Sequence, residues 1–263
     1  MKYSRLITCG DSFTEGMTDH VVNGQYRGWA DRVADVMSEQ VPEFTYLNLA
    51  IRGKLLRQVV DDQIPLALPY VTGPETLLSF HAGANDVLRP NYKAEIVLPL
   101  YSKAVREISK SEATILLFTV LERTDRTGKT ADLWESRFRA FNENVRSVAS
   151  EVGAIVADAN EENFLSDRRF LADDRLHLNP LGHDRVAQGV LEKLELPYSL
   201  NWREPLPPPQ KVELRERLVS NLRWYVTFLF PWMWRRLRGK SSGDGRSAKH
   251  SIPVSWKNTQ NRG

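Results

Sequence analysis

Two hydrophobic periods take turns along the first 195 residues of this chain. Five short apolar runs, Tyr3–Cys9, Phe44–Leu49, Thr76–His81, Thr114–Leu121 and Ala154–Asp158, read as strands. Between them apolar positions recur every three or four residues, which predicts helices over about Trp29–Val41, Lys54–Ile64, Tyr92–Lys110, Asp132–Val152 and Pro180–Leu194. Strands alternating with helices predict an α/β fold, with a five-stranded parallel sheet and helices on both faces. The charged, glycine-containing stretch Glu122–Thr130 reads as a loop over the edge of the functional site or in solvent.

After Pro197 the pattern changes. Pro205-Leu206-Pro207-Pro208-Pro209 predicts a stiff extended spacer. Leu214, Leu218, Leu222, Tyr225 and Leu229 then follow at helical spacing, and Pro231 is expected to break or kink that helix. From residue 239 on Ser, Gly, Lys and Asn dominate, which predicts disorder. The expected organisation is a catalytic body over 1–200, a linker and Trp-rich amphipathic helix over 201–238, and a basic disordered tail over 239–263. On this reading the body closes before residue 205, and a chain ending near Leu200 keeps activity.

Composition changes the picture in one respect. The net charge is +3 over 263 residues, but residues 235–263 hold eight Lys and Arg against the single acid Asp244. The remainder carries 28 basic and 32 acidic residues. A mildly acidic body with a basic tail argues against a nucleic-acid-binding body. Met1-Lys2-Tyr3-Ser4-Arg5 leads directly into a strand without a signal-peptide core, and Cys9 is the only cysteine. Both point to a reducing cytoplasmic setting.

Candidate chemistry sits in four blocks, each placed after a predicted strand: Gly10-Asp11-Ser12, Asn48-Leu49-Ala50-Ile51-Arg52-Gly53, Gly83-Ala84-Asn85-Asp86 and Asp174-Arg175-Leu176-His177. In a parallel sheet, segments that follow strands emerge at one edge, so the blocks can converge. Converged, they supply what acyl transfer needs. Ser12 is the nucleophile, His177 the base and Asp174 the residue that orients the imidazole. The Ser12 and Gly53 N–H groups and the Asn85 amide are the oxyanion donors. His183 falls inside the last predicted helix and reads as a packing or capping residue. His81 reads as a core histidine and His20 as a surface one. Asp173 competes with Asp174, and spacing favours Asp174. Asp11 and Asp86 are expected to bond neighbouring backbone, and Cys9 to be an inert small hydrophobe. No phosphate-binding glycine loop or Cys/His metal spacing appears, so no cofactor and no metal is expected.

In their order and residue types the blocks resemble the SGNH, or GDSL-type, hydrolases, with the likeness spanning about residues 3–195. The four name-giving residues of that family fall on Ser12, Gly53, Asn85 and His177, and its Asp-x-x-His on Asp174–His177. The resemblance implies a flavodoxin-like three-layer α/β/α sandwich and a metal-free serine esterase acting on a small-molecule ester. The Trp-rich extension resembles that of some actinobacterial members and implies no substrate. Two alternatives stand beside the esterase: a lysophospholipase or thioesterase using the tail at a membrane, and a catalytically silent ligand-binding member.

Leu222–Leu237 is too short, and too interrupted by Arg223 and Pro231, to span a bilayer. Two readings of it remain open. Either its aromatic face packs on the body, or its Trp and Tyr residues enter the headgroup region while the arginines meet anionic lipid. The second reading would make the protein peripheral at the inner membrane face, through residues 222–238. Nothing in the sequence sets the oligomeric state.

Overall fold

The computed structural model describes residues 3–122, 128–161, 166–209, 213–238 and 241–257. Five strands are parallel: β1 Arg5–Gly10, β2 Thr45–Asn48, β3 Thr76–His81, β4 Thr114–Phe118 and β5 Ile155–Ala157. A sixth strand, β6 His250–Ser255, pairs antiparallel with β2. The order across the sheet is β5-β4-β3-β1-β2-β6.

Strand residues alternate between two cores, as the pleat requires. Ile7, Leu47, Leu78 and Leu117 point to one face, under α4 Ala94–Ser109, α5 Lys129–Val152 and the helical turns between Leu56 and Ala67. Leu6, Tyr46, Leu77 and Leu116 point to the other, under α2 Gly28–Gln40 and α6 Pro180–Lys193. Fully burying each such side chain contributes about 1.5–3 kcal/mol. The result is the expected three-layer sandwich. Two short helices carry site residues: α1 Ser12–Glu15 and α3 Ala84–Val87. The strand order puts the topological switch between β1 and β3, the place where flavodoxin-like sheets open a crevice at their carboxyl edge.

The C-terminal region departs from expectation. The sheet has six strands, not five, and residues 241–257 are part of the fold rather than a disordered tail. Residues 239–240 and 258–263 lie outside the described residues, as do 123–127 of the Glu122–Thr130 loop. Strand β6 covers an edge of β2 that would otherwise leave backbone groups unpaired. Pro253 sits within it, which an edge strand tolerates because one side needs no N–H donors. Trp256 is buried in the second core, edge-on to Tyr46 at 5.0 Å, with its indole N–H donating to Asp35 Oδ1 at 2.7 Å. Lys249 Nζ lies 2.9 and 3.0 Å from the two carboxylate oxygens of the buried Asp31. Tyr46 Oη donates to the same carboxylate, and Asn48 donates to Tyr46 Oη. The body therefore does not close before residue 205.

The Trp-rich segment is one helical run. It comprises α7 Leu214–Trp224, a π turn over Tyr225–Leu229, and α8 Phe230–Leu237. Pro231 does not end it. The wide turn just before Pro231 shifts bonding to i→i+5, with the Phe230 N–H reaching Tyr225 O, and the helix passes through the residue that lacks a donor. The Pro205–Pro209 spacer carries no helix or strand, and Arg169 donates to its Leu206 and Pro207 carbonyls.

Candidate active site

Ser12 opens α1 directly after β1. Asp11 caps this helix, its Oδ1 accepting from the Phe13 N–H at 3.2 Å. Gly10 before it has no room for a side chain, because a Cβ there would stand 2.6 Å from the His81 carbonyl oxygen on β3. Gln63 grips the Gly10 backbone from both sides. Its Oε1 accepts from the Gly10 N–H at 2.8 Å, and its Nε2 donates to the Gly10 oxygen at 2.9 Å. A buried side-chain amide thus fixes the strand end two residues before the serine hydroxyl. Gln63 carries no sequence signal for this role, since it lies in an ordinary amphipathic stretch.

His177 and Asp174 arrive on a tight loop closed by the Leu171–Leu178 bridge. Arg175 takes the left-handed conformation at φ 59°, and the Ala172 N–H donates to the His177 oxygen at 2.8 Å. Asp174 Oδ1 accepts from the Leu176 and His177 N–H groups, each at 3.0 Å. Its Oδ2 then faces His177 Nδ1 at 2.6 Å, and His177 Nε2 lies 3.0 Å from Ser12 Oγ. Burial pushes the Asp174 carboxyl up, but hydrogen bonds and charge from His177, with the two N–H groups, outweigh it and hold it below the usual carboxylate range. An ionised Asp174 can only accept, so His177 Nδ1 carries the proton and Nε2 is free to accept from Ser12. Residues 165 positions apart in sequence are in line.

The second and third blocks reach the same place. Arg52 ties its loop to α1, donating through its backbone N–H and its guanidinium to Glu15. Gly53 beyond it is left-handed at φ 74°, a conformation that favours glycine. Its carbonyl accepts from Ser241 Oγ at 3.2 Å. Asn85, on α3, donates through Nδ2 to Asp11 Oδ2 at 2.9 Å and to the Lys54 oxygen at 3.1 Å. Both of its amide hydrogens are engaged in this arrangement, so donation to an oxyanion exchanges one of them. Asp86 Oδ2 accepts from the Leu56 N–H, a backbone group 30 positions away rather than the neighbouring one expected. Asp11 does more than bond its own backbone, because it also holds the Asn85 amide.

The other candidates fall away. His183 is buried in α6 with Nε2 on the Met17 oxygen at 3.1 Å, and burial lowers it to about 4. His81 is buried against Phe13 and Phe118, and burial lowers it to about 4 as well. His20 and Asp173 are exposed at the surface. Cys9 is buried in β1, and burial raises its thiol to about 12. Among the described residues no three of His, Cys, Asp and Glu come together as a metal site.

A cavity of about 330 Å³ opens beside Ser12 and His177, walled by Phe13, Leu88, Phe118, Trp134 and Phe138. Its apolar wall suits a hydrocarbon group next to a polar reacting centre. The outer rim holds features that the sequence did not flag. Trp224 of the C-terminal helix donates its indole N–H to the Asp174 carbonyl at 2.8 Å. Arg175 lies over that indole at 5.2 Å and donates to Asn221 at 2.8 Å. No periodicity links an indole to a backbone carbonyl 50 positions away.

Asp11 gives a pH-dependent expectation. Burial raises its carboxyl to about 6, against the opposing pull of the Phe13 N–H, His177 and the Asn85 amide. The native state thus holds a proton between about pH 4 and 6 that the unfolded chain has released, and stability falls as pH rises through that window. Asp11→Asn should melt close to the wild type at pH 4 and higher than it at pH 8. The gap should grow by on the order of 2–3 kcal/mol, the worth of about two pKa units. Melting curves from pH 4 to 8 check this, and a gap that stays constant with pH contradicts it.

The family model of the GDSL-like lipase/acylhydrolase family matches residues 8–185, which contain all four blocks. No curated protein matches the chain. Several solved structures share the fold. A single-site variant of Axe2, an acetyl xylan esterase from Geobacillus stearothermophilus, superposes with a TM-score of 0.61 at 18% identity, covering 76% of this chain and 99% of that one. TesA superposes at 0.59 with 16% identity, over 73% of this chain and 98% of its own. LAE5, an alpha/beta hydrolase from the metagenome of Lake Arreo, Spain, superposes at 0.57 with 20% identity, over 73% and 95%.

Proposed function

This chain belongs to the GDSL-like lipase/acylhydrolase family, a family of ester hydrolases, and on that premise we propose that it cleaves a carboxylic ester through an acyl-enzyme on Ser12. The observation that carries the reading is the continuous relay from Ser12 Oγ through His177 to Asp174. Ser12 Oγ attacks the ester carbonyl carbon as His177 Nε2 takes its proton. The carbonyl oxygen becomes an oxyanion, for which the Ser12 and Gly53 N–H groups and the Asn85 amide are the donors. Collapse breaks the bond to the alcohol, and His177 returns the proton to the leaving oxygen. Water, deprotonated by His177, then attacks the acyl-Ser12 carbonyl, and the acid and free Ser12 are released. Asp174 holds the imidazole in the tautomer this cycle needs and stabilises its cation.

The apolar cavity favours a second reading of the substrate, a lipid-derived ester or thioester whose acyl chain lies against Phe13 and Phe118. It differs from the first only in the acyl and leaving groups. A fluorophosphonate probe tests the chemistry directly. Stoichiometric labelling at Ser12, together with hydrolysis of p-nitrophenyl esters from acetyl to octanoyl, is expected. A folded protein that takes no label and turns over none of these esters would instead be the silent, ligand-binding member.

A further inference from the structure

The helical run Leu214–Leu237 has two faces. The inner one is bolted to the loop that carries Asp174, through Trp224, Asn221 and Ser220. The outer one presents Leu218, Leu222, Val226, Phe230 and Trp234, each between 56% and 66% exposed. These five are spaced four apart, a spacing that drifts around an ordinary α-helix of 3.6 residues per turn. The π turn at Tyr225–Leu229 winds less per residue and offsets part of that drift. Five large apolar residues exposed in succession along one helix are not normal for a protein surface in water.

Charge identifies what covers them. Between residues 217 and 238 the sequence has five arginines and no acid. Arg223, Arg235 and Arg238 are exposed, and the Arg238 guanidinium lies 4.5 Å over the ring of Trp234, the last of the five. Apolar and aromatic residues flanked by guanidinium groups match the layered chemistry of a bilayer surface, with hydrocarbon beneath and anionic phosphate at the level of the aromatic rings. Among the described residues no helix is long and apolar enough to cross a membrane, so the contact lies in the interface plane.

We propose that the outer face of this helix docks the protein on an anionic lipid surface. Because the inner face holds the Asp174 carbonyl, docking sets the mouth of the site at that surface, where esters dissolved in lipid are met. That consequence rests on the reaction proposed above, whereas the docking does not.

The test is co-sedimentation of the full chain with vesicles of phosphatidylcholine alone or with phosphatidylglycerol added, at low and high salt. Binding is expected only to the anionic vesicles and should weaken as salt rises. The double variant Leu222→Glu/Phe230→Glu should lose it while its circular dichroism and melting remain native. Arg235→Gln/Arg238→Gln should bind roughly thirtyfold more weakly, each basic residue near an anionic surface being worth about 1 kcal/mol. The arginine pair keeps the test decisive if the glutamate variant fails to fold. Absence of binding to anionic vesicles at low salt overturns the proposal. So does a wild type that sediments as a dimer which the glutamate substitutions dissociate, since a second copy then covers these residues. Vesicle binding by a protein that takes no fluorophosphonate label would leave the docking standing and remove only the reaction.

Discussion

Replacing Ser12 with Ala is expected to reduce kcat on a soluble p-nitrophenyl ester by about 10⁵–10⁶, the loss that follows removal of a serine nucleophile that acts as one unit with its base. Ser12 Oγ is the group in contact with His177 Nε2, and no other hydroxyl lies on that nitrogen among the described residues. Asp174→Asn should cost about 10⁴, because an amide facing Nδ1 lets the imidazole settle in the wrong tautomer. His183→Ala should cost little beyond stability, since its ring faces the Met17 carbonyl and not the serine. Steady-state kinetics on variants shown by their melting to be folded would decide. A Ser12→Ala protein within about tenfold of wild type would remove the acyl-enzyme. Equal losses at His177 and His183 would mean that the relay is not the reaction path.

A chain ending at Leu200 is expected to lose cooperative folding. Three contributions go at once. The edge of β2 loses its partner β6. The second core loses Trp256, whose removal costs about 3–5 kcal/mol at a buried site. Asp31 loses the ammonium of Lys249, and a buried carboxylate left without its partner costs about 3–5 kcal/mol. Together these match much of the roughly 5–15 kcal/mol that holds a typical domain folded. Thermal melting of the truncated chain should show no sharp transition, and Lys249→Ala in the full chain should lower the midpoint on its own. A truncated chain that melts cooperatively near the wild-type temperature would show that β6 and Trp256 are ornaments on a body that closes without them.

The relay and the C-terminal strand differ in how far residue pattern announces them. The relay could be anticipated from residue order because a parallel sheet sends every segment that follows a strand to one edge. Ser12, Gly53, Asn85 and His177 each follow a strand, and the strands announce themselves by apolar runs bounded by glycine and polar residues. The tail offered no such sign. His250-Ser251-Ile252-Pro253-Val254-Ser255 is short, contains a proline, and follows a stretch rich in Ser, Gly and Lys. Its own preference for extended structure is weak, and it becomes a strand only because β2 has an open edge to receive it.

The same division runs through the site. Sequence alone determined the alternation of strands and helices around a parallel sheet and nominated the residues that are candidates to react, because side-chain period and the chemistry of serine, histidine and aspartate are local properties. Only the tertiary structure decided that Gln63 clamps Gly10, that Asp11 holds the Asn85 amide and that Trp224 caps the Asp174 carbonyl. It also decided that a π turn carries the helix through to Pro231. Each of these is a contact between groups far apart in the chain or a winding set by packing, and neither leaves a trace in the spacing of residues.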